Sequence, residues 1–308
     1  MRRDYLLLAV TVTIGFLLTA PPGALAQDRA EYAGSAVCVN CHEKQIAAFS
    51  RTKMASLFQS HPRDSIGRLG CEGCHGPAKA HAESGGDERG GLITFKKDDP
   101  TPVAQRNGLC LRCHEGGARL DWDGGVHDSR GVACTDCHSV MTNASAQNQL
   151  KRATASETCG QCHLQKRAQT ARFAHMPVRE GKMDCVSCHN PHGSPNDKLL
   201  KVGSVNETCY SCHAEKRGPF LWEHAPVAES CANCHDLHGS SNEKLLVVPR
   251  ARLCQRCHDE SQHPTRPYSA NLGAADSANS RFVFGRQCQN CHFNIHGSNH
   301  PSGARFTR

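Results

Sequence analysis

The chain has 308 residues and a formal net charge of +7, with 38% apolar and only 5% aromatic residues. Twenty cysteines and twenty histidines stand far above ordinary usage. This composition excludes an ordinary globular domain built on a side-chain core: something other than side chains must fill the interior.

In chain order, Arg2 and Arg3 precede an apolar run over residues 5–20, which is short for a bilayer span. Pro21, Pro22 and Gly23 break the run, and Ala24-Leu25-Ala26 offers small residues at the spacing a signal peptidase accepts. Residues 1–26 are therefore expected to be a cleavable signal peptide, leaving an exported chain that starts at Gln27.

Exported cysteines usually pair as disulfides. Here the spacing points elsewhere, because all twenty fall into C-x-x-C-H. The motifs are Cys38, Cys41 and His42; Cys71, Cys74 and His75; Cys110, Cys113 and His114; Cys134, Cys137 and His138; Cys159, Cys162 and His163; Cys185, Cys188 and His189; Cys209, Cys212 and His213; Cys231, Cys234 and His235; Cys254, Cys257 and His258; Cys288, Cys291 and His292. Such a pentapeptide attaches haem c: two thiols add across the vinyl groups and the adjacent imidazole becomes the proximal iron ligand. A zinc site can also use C-x-x-C with His, but ten copies with no cysteine left over do not suit one. Ten haem c groups are the expected cofactors, and they are what fills the interior.

The expected fold is a haem-packed multihaem cytochrome, mostly loops with short α-helices and little or no β-structure, elongated, in two pentahaem halves. The halves run over 27–172 (motifs one to five) and 173–308 (motifs six to ten). Stacked haems must stay packed across the boundary, so no independent linker is expected near Arg172. A short helix is predicted over 43–49, and loops over 84–91, 121–125 and 264–280.

Internal repeats subdivide the chain further. Residues 156–167 recur as 206–217, and CVSCHNPHGS at 185–194 recurs as CANCHDLHGS at 231–240, each followed by Asn-acid-Lys-Leu-Leu. Two kinds of unit alternate. In odd units a second histidine lies 11 to 13 residues past the motif (His127, His175, His224); in even units it follows closely (His81, His192, His238, His296). The ninth unit is irregular, with His263 five residues on. These, with His61 and His300, make ten non-motif histidines for ten sixth positions. Two slots break the pattern: Met54 stands 12 residues past His42, and Met141 three past His138. A thioether is a legitimate axial ligand and raises the potential relative to a second imidazole. Which residue crosses to which iron is left open by the sequence.

An iron with two protein ligands has no open position for a substrate, so electron transfer is expected and catalysis is not. A reductase with one open haem would be marked by a motif with Lys in place of His or by a deficit of ligands, and neither is present. A soluble periplasmic electron shuttle needs the same haems. Each haem adds two propionates, so the basic side chains are read as propionate partners and no nucleic-acid role is expected.

The strings at 71–81 (CEGCHGPAKAH), 122–138 (WDGGVHDSRGVACTDCH), 206–227 (NETCYSCHAEKRGPFLWEHAPV) and 295–303 (IHGSNHPSG) resemble the DmsE/MtrA family of decahaem cytochromes, with iron-oxidising relatives of the MtoA and PioA kind. The resemblance implies a periplasmic protein associated with the outer membrane, inserted in a large outer-membrane β-barrel porin. It would carry electrons between periplasmic or inner-membrane cytochromes and an extracellular cytochrome or iron, in Fe(II) oxidation or in reduction of Fe(III) or other acceptors. Iron-reducing members carry His where Met54 and Met141 stand. A Met54 ligand on the first haem would give that terminal site a raised potential.

Overall fold

The computed structural model describes residues 31–175, 178–258, 288–301 and 303–306. The expected signal peptide, His263 and the loop over 264–280 lie outside them. Each motif folds as one helical turn: the amide of the motif histidine donates to the carbonyl of the first cysteine, for example His138 to Cys134 at 2.9 Å and His213 to Cys209 at 2.8 Å. Positions i, i+3 and i+4 share a helix face. The C-x-x-C-H spacing therefore directs both thiols and the imidazole to one side.

Helices elsewhere are short because Gly, Pro, Ser and Asn interrupt them. The longest, Val103–His114, has 12 residues and ends in the third motif; Glu43–Phe49 forms as expected. Residues 84–91 and 121–125 are turns and loop, as their composition predicts. Thr154 and Ser204 cap the helices of the fifth and seventh motifs by accepting from the amides of Glu157 and Glu207.

Among the described residues sheet pairing is limited to four isolated antiparallel bridges. Three are one repeated device, His138 with Leu150, His189 with Leu200 and His235 with Leu246. Each loop returns through two consecutive left-handed residues: Asn148 and Gln149, Lys198 and Leu199, Lys244 and Leu245. Paired left-handed residues make a tight reversal whose twist suits antiparallel pairing.

The interior among the described residues holds mainly small side chains: Ala55, Ala78, Ala133, Ala155 and Ala174, with Trp122, Leu200 and Leu246, and no large side chain is fully buried. Leu120, Leu221 and Phe173 are well exposed on the polypeptide. Side chains do not form the core, as the composition requires. Among the described residues no helix is long and apolar enough to cross a membrane.

Candidate haem-binding sites

None of the twenty cysteines is paired in a disulfide. In the even units a backbone carbonyl orients the motif imidazole. The Nδ1 of His75, His138, His189, His235 and His292 lies 2.7, 2.9, 2.8, 2.8 and 2.5 Å from the carbonyl oxygens of Ile93, Asn148, Lys198, Lys244 and Arg305. An Nδ1–H donor leaves the Nε2 lone pair for a metal. The left-handed pairs put the carbonyls there, since Lys198 and Lys244 are themselves the acceptors.

Among the described residues seven non-motif imidazoles face motif imidazoles, none of them the motif imidazole of its own unit. His81 faces His42, His192 faces His138, His127 faces His163, His238 faces His189, His175 faces His213, His296 faces His235 and His224 faces His258. The position opposite His42, beside which the sequence places Met54, thus holds His81. Centroid separations fall between 6.0 and 6.3 Å while interplanar angles run from 10° to 67°. Direct stacking would couple distance to angle. A shared central atom does not: a nitrogen about 1.1 Å from each centroid and metal–nitrogen bonds of about 2.0 Å give about 6.2 Å at any angle.

Three of the facing imidazoles are held by the same backbone-carbonyl device, while the Nδ1 of a fourth, His175, is buried without a partner in the polypeptide. His81, His127 and His224 use Nδ1 against Glu88, Pro191 and Ile295 at 3.0, 2.7 and 3.1 Å. Burial, first of all, pushes the His192 imidazole down to about 4, with His138, Arg119 and His127 adding to the effect. His224, His238 and His296 are lowered by burial as well. All are thereby kept in the neutral form that coordinates metals.

Within each couple the first cysteines of the odd and even motifs are electrostatic neighbours: Cys38 and Cys71, Cys110 and Cys134, Cys159 and Cys185, Cys209 and Cys231, Cys254 and Cys288. Between couples Cys74 feels Cys110 and Cys113, Cys137 feels Cys162, Cys188 feels Cys212 and Cys234 feels Cys257.

In the first, third, fifth and seventh units a polar residue three positions before the motif clamps its couple. Asn107 and Asn206 accept through Oδ1 from the amides of Cys134 and Cys231 at 2.9 and 2.7 Å and donate through Nδ2 to Val132 and to Val227 and Ala228. Ser35 accepts from the Cys71 amide at 2.9 Å, and the Ser156 hydroxyl meets Cys185 Sγ at 3.9 Å. Sequence reasoning missed these clamps. Their signal was the polar residue recurring at that one offset.

Several buried donors find no acceptor in the polypeptide: Arg106 Nε, Trp122 Nε1 and Gln149 Nε2. Buried polar groups are normally satisfied, and propionates supply acceptors of the right chemistry. The thiols, the oriented imidazoles and these donors together fit haem c.

Comparison with known proteins agrees with this geometry. Residues 175–218 and 224–263 match the doubled CXXCH motif family, and 71–154 match the family of NrfB-like c-type cytochrome proteins. Over 143 residues, 46% of the chain, it is 25% identical to the C-type polyheme cytochrome OmcB of two Geobacter sulfurreducens strains, covering 15% of that protein. It is 40% identical over 276 residues to the multiheme cytochrome MtrA of Shewanella baltica, covering 89% of this chain and 81% of that one. The chain therefore belongs to the MtrA family of multihaem c-type cytochromes, electron-transfer proteins that hold several haems through C-x-x-C-H motifs.

Proposed function

We propose that this cytochrome holds ten haems and acts as an electron conduit across the outer membrane within a porin–cytochrome complex, exporting or importing electrons between the periplasm and extracellular iron or other acceptors. The observation that carries this reading is the interlocking of the units along the chain: seven imidazoles each face the motif histidine of another unit, in a series that runs from His42 to His258. A catalyst needs one well-formed pocket; a conduit needs every site within reach of the next.

Each motif would supply two thioether attachments and a proximal imidazole, and seven further imidazoles would supply a second iron ligand at motifs one, four, five, six, seven, eight and nine. Bound haem supplies a one-electron couple, tuned by axial ligand, burial and hydrogen bonding. The chain's own part is to fix orientation. Carbonyl-bonded Nδ1 groups hold eight of the rings, and at the seven paired motifs a second imidazole would leave a bound iron no open position for substrate. The two pentahaem halves read from the sequence, 27–172 and 173–308, are joined by Gln169 Nε2 donating to Asp236 at 3.1 Å, by His127 Nδ1 against the Pro191 carbonyl at 2.7 Å and by Cys185 Sγ meeting the Ser156 hydroxyl at 3.9 Å. The relay therefore need not break between them.

The test is co-purification. Detergent extracts of outer membranes should yield the cytochrome bound to a β-barrel, and the complex in liposomes should pass electrons from an external reductant to an enclosed dye. Recovery solely as a free periplasmic protein would replace the conduit with a soluble shuttle.

A further inference from the structure

The seven imidazole pairs obey a rule of displacement. Histidines of odd units reach forward two motifs: His127 of the third unit faces the fifth motif, His175 of the fifth faces the seventh, and His224 of the seventh faces the ninth. Histidines of even units reach back two motifs: His192 to the fourth, His238 to the sixth and His296 to the eighth. His81 steps back one, to the first motif, where two steps would leave the series.

The two reaches are built together, because each odd-unit ligand crosses the even-unit ligand three units later. His127 bonds the carbonyl just before His192, and His224 the carbonyl just before His296. In register, the residue two before the odd ligand meets the residue two after the even one: the Ser240 amide donates to the Phe173 carbonyl, and Trp222 pairs with Ser298. The first and fourth units cross in the same way. Asn143, two after Met141, donates to the carbonyl of Arg51, three before Met54, at 2.5 Å.

We infer that Met54 is the sixth ligand at the third motif, opposite His114, and Met141 the sixth ligand at the second motif, opposite His75. Met141 stands on the same bridged loop as His192 and His238, three residues past its motif histidine, so two motifs back from the fourth is the second. Met54 occupies the odd-unit slot, so two forward from the first is the third. Side-chain environment separates them from the spare imidazoles: Met54 and Met141 are half-buried like every one of the seven facing histidines, whereas His61 and His300 are exposed. Reach is comparable, because a metal–sulfur bond of about 2.3 Å against about 2.0 Å for nitrogen offsets the shorter side chain.

The consequence is a pair of adjacent thioether-ligated sites, since the second and third motifs are consecutive and Cys74 of the one is an electrostatic neighbour of Cys110 and Cys113 of the other. Thioether ligation raises potential. Two neighbouring sites near one end of the series would then hold electrons more tightly than the rest, one of them within the first odd–even couple and the other within the second.

This assignment rests on the multihaem reading above and is tested on the isolated ferric holoprotein, which needs no porin; loss of the conduit would leave it standing, and its own failure would leave the conduit. The wild type should show the thioether-to-iron charge-transfer band. Met54→His and Met141→His should each remove about half its intensity with haem content unchanged, and the double variant all of it. His81→Ala should create one high-spin haem and leave the band intact, and His61→Ala should create none. An absent band in the wild type, a band surviving in the double variant, a low-spin His81→Ala protein, or a new high-spin haem in His61→Ala would each overturn the assignment.

Discussion

The loop after the fourth motif and the loops after the sixth and eighth share a backbone and differ in what they carry. All three bridge the motif histidine to a leucine, reverse through two left-handed residues and return a carbonyl to Nδ1. The sixth and eighth then present His-Gly-Ser, and the fourth presents Met-Thr-Asn. The glycines answer to the crossing segment: a Cβ on Gly193 would overlap the Asp121 carbonyl, and one on Gly239 the Gln169 carbonyl, both at left-handed φ. At the fourth loop the close backbone approach gives way to the Asn143 side chain. One scaffold thus accepts two ligand chemistries, and the crossing alone is rebuilt.

The largest effect expected is at those glycines. Gly239→Val should cost about 3 kcal/mol or more, because backbone and not a flexible side chain stands in the way. Thr142→Gly at the equivalent place should stay within about 1 kcal/mol. Denaturation midpoints of the two variants compare the crossings directly, and equal losses would mean that the fourth loop crosses as tightly as the others.

Next comes the clamp within couples. Asn206→Ala removes the acceptor for the Cys231 amide and two donated bonds in a buried place, which should cost about 2 kcal/mol. The same change at Asn107 should cost as much, since the geometry recurs. A surface-sized loss of a few tenths at either site would show that the asparagine does not join the couple.

The loop after the second motif returns its carbonyl without the paired left-handed residues. Asp99 does the work there, accepting from Arg89 at 2.7 Å and from the amides of Thr94 and Thr101 at 2.6 and 2.8 Å, next to the Ile93 carbonyl that orients His75. The Arg89 guanidinium, first among these partners, holds the Asp99 carboxyl well below the usual carboxylate range. A lowered folded-state value means that its contribution is complete above the unfolded value of about 3.9 and fades as pH falls through the folded one. The carboxylate is thus fully engaged at neutral pH, and hydrogen exchange at the Ile93 amide, which donates to the His75 carbonyl, should quicken in Asp99→Asn at that pH. The Asn190 amide of the sixth loop, bonded to the Leu199 carbonyl, should not respond in the Asp99→Asn variant.

The smallest effect is spectroscopic. The pairs His127–His163 and His175–His213 cross at 63° and 67°, against 10° to 20° for the other five. Frozen-solution electron paramagnetic resonance should separate two strongly anisotropic low-spin signals from five rhombic ones. A single class would mean that haem attachment turns the rings.

Much of this was legible in the residues. The motif string fixed the attachment chemistry, the repeats at 156–167 and 206–217 announced alternating units, and the thin apolar content announced a core made of something other than side chains. The left-handed turns at Lys198-Leu199 and Lys244-Leu245 were not legible, because neither residue type favours that conformation. Only their recurrence hinted at a shared device. The clamps at Asn107 and Asn206 were hidden for a related reason: a buried asparagine and a solvated one look alike until the partner amides are placed.

The sequence by itself determined what the chain can bind and which imidazole lies on the proximal side, because both follow from residues within a single helical turn. The tertiary structure decided which residue closes which site. His127 lies 13 residues from His114 yet its ring sits 6.2 Å from that of His163, held by a carbonyl 64 residues away at Pro191. Sequence separation does not measure that crossing, since the partner on the far side of an iron is set by how whole units pack.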